Sequence, residues 1–472
     1  MNLILIISDT LRRDHLGCYG NEWISTPNID RFAARSLVFD RAYSGSFPTV
    51  PNRRDVLTGR YTATYTDWAP LAPDEVVLPA VLGQQGFTSM MVCDCPHILE
   101  NGYHYDRGFD GFEWIRGQET DRWRTAPDGA PYPCDPAKVR GARRLQQQHR
   151  RNIAPWQHEA DRFVARTMSA ASDWLEDNYQ RGPFFLYVDT FDPHEPWDAP
   201  QWYVDMYDPG YAGEVVDYPR YWYTDFLTPA ELKHCRALYA AEVTLVDRWV
   251  GRLLDKAQDL GLLEDSVVVL TTDHGFLHGE HGIIGKSLIR ESGGLSYIPL
   301  YEEINHIPLI VSYPGARAGR TNALVQPLDL MPTLLECASV EIPDTVQGRS
   351  YAAVLRGEAE QHRAYAVSSP YLGGARVPVT VVRDGYAAVL YAADEGASGG
   401  PDLAVDGIAK KQAHEGEAVD LLFDIANAPE QQVSVAQRHP DLMAALRADL
   451  LAYLAETGAP ESLIARWRRR QA

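Results

Sequence analysis

The stretch from Phe47 to Arg60, FPTVPNRRDVLTGR, constrains the fold and the chemistry of this chain more than any other. Two prolines stiffen a short turn at its start. Residues 52–57 then form a predicted helix, which Gly59 would close. Thr49 is thereby placed at a helix N-terminus, where free backbone N–H groups and the positive end of the helix dipole favour an anion. Arg53, one turn further on, is expected to point to the same place.

Two other segments place polar residues at the ends of predicted strands. The apolar run Leu3–Ile7 predicts a buried central strand, and Asp9 follows it closely. The run from Ser266 to Leu270 predicts a second such strand, followed by Asp273 and His274. Ligand sites of α/β folds lie at the carboxyl ends of parallel strands. A carboxylate and an imidazole at such an end are suitable ligands for a metal ion.

Composition limits the partners of the 472-residue chain. A formal net charge of −20 argues against nucleic-acid binding and against docking on anionic membranes. No apolar run reaches the roughly 18 residues of a membrane span. Six cysteines in a chain of this length do not indicate a disulfide scaffold. The N-terminal residues lack the features of a signal peptide, so the sequence predicts a cytoplasmic protein.

These segments resemble the sulfatase family of the alkaline phosphatase superfamily. The family signature reads Cys or Ser-x-Pro-x-Arg, followed by Leu-Thr-Gly-Arg, and this chain has Thr49-Val50-Pro51-Asn52-Arg53 followed by LTGR at residues 57–60. In the family, the Cys or Ser is oxidised to formylglycine, the nucleophile. Threonine is not a substrate for that conversion, so no formylglycine is expected. The Asp-x-x-Arg-x-Asp pattern that begins at Asp9 is closer to the phosphonate monoester hydrolase and phosphodiesterase members.

The resemblance implies one divalent metal ion, which is Mn, Zn, Ca or Mg. Its implied ligands are Asp9, Thr49, Asp273 and His274. A second ion near Asp189 and His194 is disfavoured, because the spacing of these residues differs from that of the two-metal phosphodiesterases.

The resemblance also implies the catalytic residues. Thr49 would be the nucleophile, and Arg53 and Lys286 would stabilise the non-bridging oxygens of the ester. His194, in a Pro-His-x-Pro loop, would contact the leaving oxygen. His97 could replace a family histidine there, although a role as a surface-loop histidine is equally open.

The implied fold is an α/β, alkaline-phosphatase-like sandwich, with a large, mostly parallel central sheet flanked by helices. We expect a catalytic domain over residues 1–363 and a small C-terminal α+β domain with an antiparallel sheet over residues 364–472. Residues 115–156 form an inserted excursion, expected to be a lid or an oligomer contact, whose basic stretch from Lys138 to Arg151 reads as a solvated helix face. Tyr105 and Trp197 are candidate substrate-binding residues in an aromatic pocket wall.

Together these features predict a metal-dependent hydrolase that acts on a small anionic ester through a covalent intermediate on Thr49. Threonine has no second hydroxyl on its reacting carbon, so the intermediate must be hydrolysed directly by water. That step suits a phospho-enzyme better than a sulfo-enzyme, which favours phosphate or phosphonate esters. Sulfuric ester hydrolysis, phosphoryl transfer to an acceptor alcohol, and binding without turnover remain alternatives. Homo-oligomerisation is left open.

Overall fold

The computed structural model describes residues 1–126, 132–141, 147–290, 295–374, 377–392 and 419–468. A nine-stranded sheet forms its centre, and smaller sheets of two, three and four strands accompany it. The strands are β1 Asn2–Ser8, β2 Leu37–Tyr43, β3 Thr88–Cys93, β4 Gly111–Trp114, β5 Phe184–Thr190, β6 Trp222–Tyr223, β7 Ser266–Thr271, β8 Leu277–His278, β9 Ile283–Gly285, β10 Leu288–Ile289, β11 Leu295–Ser296, β12 His306–Ile307, β13 Leu309–Ser312, β14 Gly319–Val325, β15 Ala366–Ser368, β16 Val379–Arg383, β17 Tyr386–Leu390 and β18 Leu421–Asp424.

Helices cover both faces of the central sheet. They are α1 Pro27–Ala33, α2 Thr49–Thr58, α3 Leu78–Gly83, α4 Gln147–Ile153, α5 Phe163–Asn178, α6 Gln201–Val204, α7 Pro229–Asp259, α8 Glu302–Asn305, α9 Leu330–Cys337, α10 Ala352–Leu355, α11 Pro440–Glu456 and α12 Glu461–Arg468. None of the helices in the described part of the chain combines the length and the apolar character needed to cross a membrane.

Strand β1 lies at the middle of the sheet, where it pairs in parallel with β5 on one side and β7 on the other. Its alternate side chains enter two different cores. Ile4 and Ile6 pack in the cluster that includes α5 and α7, whereas Leu3, Leu5 and Ile7 pack in the cluster that includes α2 and α9. Burial on both faces explains why the sequence of this strand is continuously apolar instead of alternating. The predicted α/β fold with a large, mostly parallel sheet is confirmed.

The sheet becomes mixed beyond β7. The extended segment over residues 306–312 is divided at Pro308 into β12 and β13. Strand β13 runs antiparallel to both β7 and β2. The division follows from Pro308, which has no N–H to donate to a neighbouring strand. Its carbonyl instead accepts a hydrogen bond of 2.8 Å from the Thr271 hydroxyl.

The longest helix, α7, has a capped N-terminus. Thr228 Oγ1 accepts a hydrogen bond from the backbone N–H of Glu231, and the Glu231 carboxylate accepts one from the backbone N–H of Thr228. This reciprocal capping satisfies two donors that the helix leaves free. Over its 31 residues the helix packs against α5 and α1, and it supports the sheet beneath the site described below.

The four-stranded sheet β15–β18 is antiparallel, and α11 packs against β16 and β17. The predicted domain division after residue 363 stays a prediction. Residues 127–131 and 142–146 of the predicted 115–156 insertion lie outside the described residues, and the role of that insertion as a lid or an oligomer contact stays a prediction.

A buried ion pair joins α9 to the segment before β15. The Asp329 carboxylate is fully buried and accepts hydrogen bonds from the Arg363 guanidinium, one of them 2.6 Å long from Nε. It also accepts the backbone N–H of Arg349 at 2.8 Å. Burial by itself would raise the pKa of Asp329, but the Arg363 guanidinium outweighs this and holds the pKa well below its usual range.

Replacing Asp329 with asparagine is expected to lower the free energy of unfolding by about 3–5 kcal/mol, because it leaves the buried Arg363 charge unpaired. Since the folded-state pKa of Asp329 is depressed, its contribution is present above the unfolded pKa and is lost as pH falls through the folded pKa. Urea unfolding of the metal-free protein measures this. Asp255→Asn, which breaks an exposed pair with Arg31, is the control and should change little. Equal effects of the two substitutions would contradict the prediction.

Candidate active site

The polar segments predicted from the sequence meet at one edge of the central sheet. Asp9 directly follows β1, and Asp273 lies two residues beyond the end of β7. Because β1 and β7 pair in parallel, with Ile7 opposite Thr271, their carboxyl ends lie side by side. Helix α2 begins at Thr49 and brings its N-terminus to the same edge, where the Asn52 amide donates to the backbone carbonyl of Asp273 at 3.2 Å. This is where parallel sheets bind ligands.

Asp9, Asp273 and His274 form a group that fits a metal ion. Each offers one ligand atom, these atoms lie within 4.8 Å of one another, and all three residues are buried. The His274 ring donates through Nδ1 to the carbonyl of Gly275 at 2.9 Å, which leaves Nε2 as an acceptor. Burial lowers the pKa of His274 to about 3, so the imidazole is neutral, as a metal ligand must be.

The Asp9 carboxylate carries the strongest sign of a bound cation. It is fully buried, and neither oxygen accepts a hydrogen bond from the described residues. Burial and the neighbouring Asp273 carboxylate raise the pKa of Asp9 well above its usual value. Two buried carboxylates and a neutral imidazole are a suitable donor set for a divalent ion. The predicted residues Asp9, Asp273 and His274 are therefore brought together.

Thr10 belongs to the same place, although the sequence analysis did not single it out. It has a positive φ of 56°, which is uncommon for a β-branched residue. Its backbone N–H donates to Asp273 Oδ1 at 3.2 Å, and its carbonyl accepts the Tyr239 hydroxyl at 2.7 Å. Its own hydroxyl is buried and has no partner within the described ranges. In the sequence, only its position next to Asp9 indicated that Thr10 lies at this site.

Arg53 lies among three carboxylates. Its Nε and Nη2 atoms donate to Asp189 at 3.1 and 2.9 Å. Its Nη1 atom lies 3.1 Å from Asp9 Oδ2 and also donates to Asp273. The side chain is wholly buried and holds the three carboxylates in place, and its predicted role toward the substrate oxygens stays a prediction. The Tyr187 hydroxyl also donates to Asp189, at 2.6 Å, so Asp189 is committed to these two side chains.

Thr49 is the first residue of α2, three residues earlier than the predicted helix start, and is 1% exposed. The helix ends at Gly59, which has the predicted left-handed conformation with φ 62°. Phe47, just before the helix, packs on the His274 ring with centroids 4.9 Å apart. Along the chain, Thr49 thus lies between Phe47, which contacts His274, and Arg53. Arg53 in turn contacts Asp9 and Asp273. Its predicted roles as ligand and nucleophile stay predictions.

Asp9, Asp273 and His274 are called the metal group below. Lys286 lies between this group and His194, the histidine predicted to contact the leaving oxygen. Its Nζ atom lies 3.0 Å from His194 Nε2 and 3.2 Å from His274 Nε2. The His194 ring donates through Nδ1 to the carbonyl of Glu195 at 2.7 Å, so its Nε2 accepts from the ammonium group. Burial and the charge of Lys286 lower the pKa of His194 well below its usual value. The structure thus brings His194 and Lys286 together beside the metal group.

His97 lies close to His194 but does not contact it in the described residues. Its Nε2 atom is 2.8 Å from Glu119 Oε2. The two histidines contact the same ring, Phe191, with centroid distances of 5.5 Å for His97 and 4.0 Å for His194. His97 is therefore part of a buried polar network and not a free surface-loop histidine. Its catalytic role stays a prediction.

The predicted aromatic pocket wall needs correction. Tyr105 is fully buried beneath α2, and its hydroxyl donates to the carbonyl of Val50 at 3.2 Å. Trp197 is 2% exposed, its indole N–H donates to the carbonyl of Pro193 at 3.1 Å, and its ring packs on Phe276. Both side chains belong to the hydrophobic cores. Packing a large aromatic ring in a core removes more apolar surface from water than placing it in a pocket wall, and this favours the inward orientation.

Arg140 also differs from its expected place. The basic stretch that contains it was read as a solvated face, yet the Arg140 side chain is only 19% exposed and donates to Glu119 and Glu195. Its guanidinium lies between the rings of Tyr218 and Tyr221, 4.6 and 4.3 Å from their centroids. No local pattern in the sequence distinguishes this arginine from the other basic residues of the stretch.

Comparisons with known proteins identify the family of this chain. Residues 1–340 match the family model described as Sulfatase. An N-acetylglucosamine-6-O-sulfatase of Bacteroides thetaiotaomicron is 26% identical over 417 residues, which cover 76% of this chain and 71% of that protein.

Two solved structures share the fold. The phosphonate monoester hydrolase of Agrobacterium radiobacter superposes with a TM-score of 0.73 and 20% identity, over 97% of this chain and 96% of that one. The phosphonate monoester hydrolase of Silicibacter pomeroyi gives a TM-score of 0.69 and 21% identity, over 97% and 95%. Since the family model spans most of the chain and the fold agrees, this protein is a hydrolase of the sulfatase family with an alkaline-phosphatase-like fold.

Proposed function

We propose that this protein hydrolyses phosphate or phosphonate esters, with the Thr49 hydroxyl as nucleophile and a covalent phosphothreonine intermediate. The observation that carries the proposal is the start of α2 at Thr49, at the sheet edge that holds Asp9, Asp273 and His274. A hydroxyl at a helix N-terminus meets free N–H groups and a positive dipole, which stabilise an anionic ester beside it. The same reasoning supports a small anionic ester as substrate.

The metal-binding residues of the proposal are Asp9, Asp273 and His274, with Thr49 as a further ligand. A divalent ion there would lower the pKa of a coordinated hydroxyl and neutralise charge on the non-bridging oxygens of the ester. The donor set combines carboxylates, which suit Mg, Ca and Mn, with an imidazole, which suits Zn.

The side chains around Thr49 then have separate tasks. The Thr49 hydroxyl oxygen forms the new bond to phosphorus as the bond to the leaving oxygen breaks, and its proton passes to solvent. Lys286 Nζ donates to His194 Nε2, and we assign proton donation to the leaving oxygen to this pair. Water then attacks the phosphothreonine, the proton of that water returns to the Lys286–His194 pair, and the Thr49 oxygen leaves and regains a proton. Arg53 keeps the carboxylates fixed throughout.

Sulfuric ester hydrolysis is the second candidate, and the names of the relatives favour it. It would require water to attack a sulfo-threonine directly, because a threonine offers no second hydroxyl through which sulfate could be expelled. This step is poorly suited to sulfur and is routine for phosphorus, so phosphorus esters remain the proposal. Transfer to an acceptor alcohol is a further alternative, and binding without turnover is an outcome of the experiment below.

We also propose that the protein acts in the cytoplasm. All six cysteines are free, and five of them are buried. Free thiols are the usual state in a reducing compartment. Localisation of a tagged chain in cell fractions tests this proposal.

The deciding experiment is a turnover screen. Aryl phosphate, aryl phosphodiester, aryl phosphonate and aryl sulfate are each supplied with Mn, Zn, Ca or Mg to the metal-stripped protein. We expect the highest kcat/KM on a phosphorus ester and no turnover with chelator present. A higher kcat/KM on the sulfate would reverse the order of the two candidates. Ion binding without turnover of any ester would favour a binding protein.

A further inference from the structure

Two pairs of a carboxylate and an imidazole lie beside the metal group. In the first, His194 Nδ1 is 3.2 Å from Glu195 Oε2, and it donates to the carbonyl of the same glutamate at 2.7 Å. In the second, His97 Nε2 is 2.8 Å from Glu119 Oε2. Both glutamates are almost wholly buried. A carboxylate next to an imidazole fixes the tautomer and the orientation of the ring.

One guanidinium connects the two pairs. Arg140 Nη2 donates to Glu119 Oε1 at 2.7 Å and to Glu195 Oε1 at 3.0 Å. The flanking tyrosines bind the same carboxylates, Tyr218 donating to Glu119 at 2.6 Å and Tyr221 to Glu195. A planar guanidinium between two rings has little freedom to turn. The two carboxylates are therefore held at a fixed separation by a group that also neutralises their repulsion.

The two imidazoles are further coupled by packing. Phe191 stacks on His194 at an interplanar angle of 27° and meets the edge of His97 at 68°. Trp68 also packs against the His97 ring in an edge-to-face contact, with centroids 5.2 Å apart. Each ring is thus confined by an aromatic contact and by a carboxylate that Arg140 holds. A movement of Arg140 would release both histidines together.

We propose that Arg140 is a positioning residue which sets His194 and His97 on the leaving-group side of the site through Glu195 and Glu119. This inference rests on the proposed function. Arg140 and Glu119 both come from the excursion at residues 115–156, whereas the two histidines come from loops that follow core strands. The excursion therefore completes the part of the site that handles the leaving oxygen.

The test is the dependence of rate on the leaving group in Arg140→Met. Phosphodiesters with an alkyl leaving group need a proton at the leaving oxygen, and those with a 4-nitrophenyl group do not. Proton donation by a positioned side chain contributes about 10²- to 10⁴-fold. We expect kcat/KM to fall about 100-fold for the alkyl ester and only a few-fold for the nitrophenyl ester. Equal losses for both esters would overturn the inference.

Arg116→Met is the matched control. Arg116 lies in the same excursion, pairs with Asp121 at 2.6 Å and lies over the Trp114 ring at 4.1 Å, but it contacts neither histidine pair in the described residues. This variant should leave the leaving-group dependence unchanged. If Arg140→Met fails to fold, Glu195→Gln, which keeps the volume of the side chain, takes its place in the same series with the same expected result.

A second measurement does not depend on turnover. In protein labelled with ¹⁵N-histidine, the ring signals of His194 and His97 are both expected to shift in Arg140→Met and to stay unchanged in Arg116→Met. Unchanged ring signals would overturn the inference even if no ester is ever turned over. A wild-type protein that turns over none of the esters would instead refute the proposed function alone, so the two failures are distinguishable.

Discussion

Replacing Thr49 with valine is expected to reduce kcat/KM on the best ester by at least about 10³-fold, which is the scale of losing a nucleophile. Valine matches threonine in shape and removes only the hydroxyl. The turn before α2 and the contacts of Arg53 with Asp9 and Asp273 should therefore persist. Because the hydroxyl is also a proposed ligand, ion affinity should weaken, while the three remaining ligands keep the ion bound.

Thr49→Ser is the matched control, since it keeps a hydroxyl at the same position. It should retain turnover within about tenfold. Acid quenching during turnover, followed by mass spectrometry of the peptide that contains residue 49, should detect a phosphoryl group in the wild type and in Thr49→Ser. The valine variant should show none. Undiminished turnover in Thr49→Val would remove Thr49 as the nucleophile and leave direct attack by water.

The second large effect concerns Asp9. Asp9→Asn should weaken binding of the divalent ion by about 100-fold or more and should remove turnover with it. In the metal-free protein, the same substitution is expected to raise the free energy of unfolding by about 1–3 kcal/mol, because Asp9 is buried beside the Asp273 carboxylate without a hydrogen bond, and Arg53 keeps its pairs with Asp189 and Asp273 when Asp9 is replaced. Function and stability would then change in opposite directions at one position.

Calorimetric titration with Mn²⁺ measures the first effect, and urea unfolding in the presence of chelator measures the second. Asp94→Asn is a suitable control. Asp94 is also buried at the carboxyl end of a strand of the same sheet, β3, but it accepts hydrogen bonds from Thr167, Thr190 and the backbone of Phe191. The Asp94→Asn variant should therefore have a lower free energy of unfolding and should keep its affinity for the ion. Destabilisation of the metal-free protein by Asp9→Asn would mean that this carboxylate is structural.

The metal group could be predicted from the sequence because its signals are local. Asp9, Asp273 and His274 each follow a strand whose apolar run is easy to recognise, and parallel strands bring such ends together. The end of α2 was also readable, from Gly59, whereas its start was predicted three residues too late. These features depend on a few neighbouring residues and on the rules of sheet topology.

The remaining features depend on contacts between distant parts of the chain. Arg53 meets Asp189, which lies 136 positions away, and no local pattern specifies that pairing. The same holds for Arg140, which meets Glu195 at a separation of 55 positions. Tyr105 and Trp197 were misassigned because sequence alone does not determine whether a ring near a site turns toward the solvent or the core. Side-chain direction is fixed by packing that only the folded chain provides.

The separation of the metal-binding residues along the chain has a consequence for biosynthesis. Thr10 donates to Asp273, a residue 263 positions later, and the two strands that bring them together are adjacent in the sheet. On the ribosome, the first half of the site therefore emerges long before the second. A nascent chain shorter than about residue 274 has no complete set of ligands to offer. If Asp9, Asp273 and His274 bind the ion as proposed, its loading would be a late event in maturation, and translation intermediates would stay empty of metal.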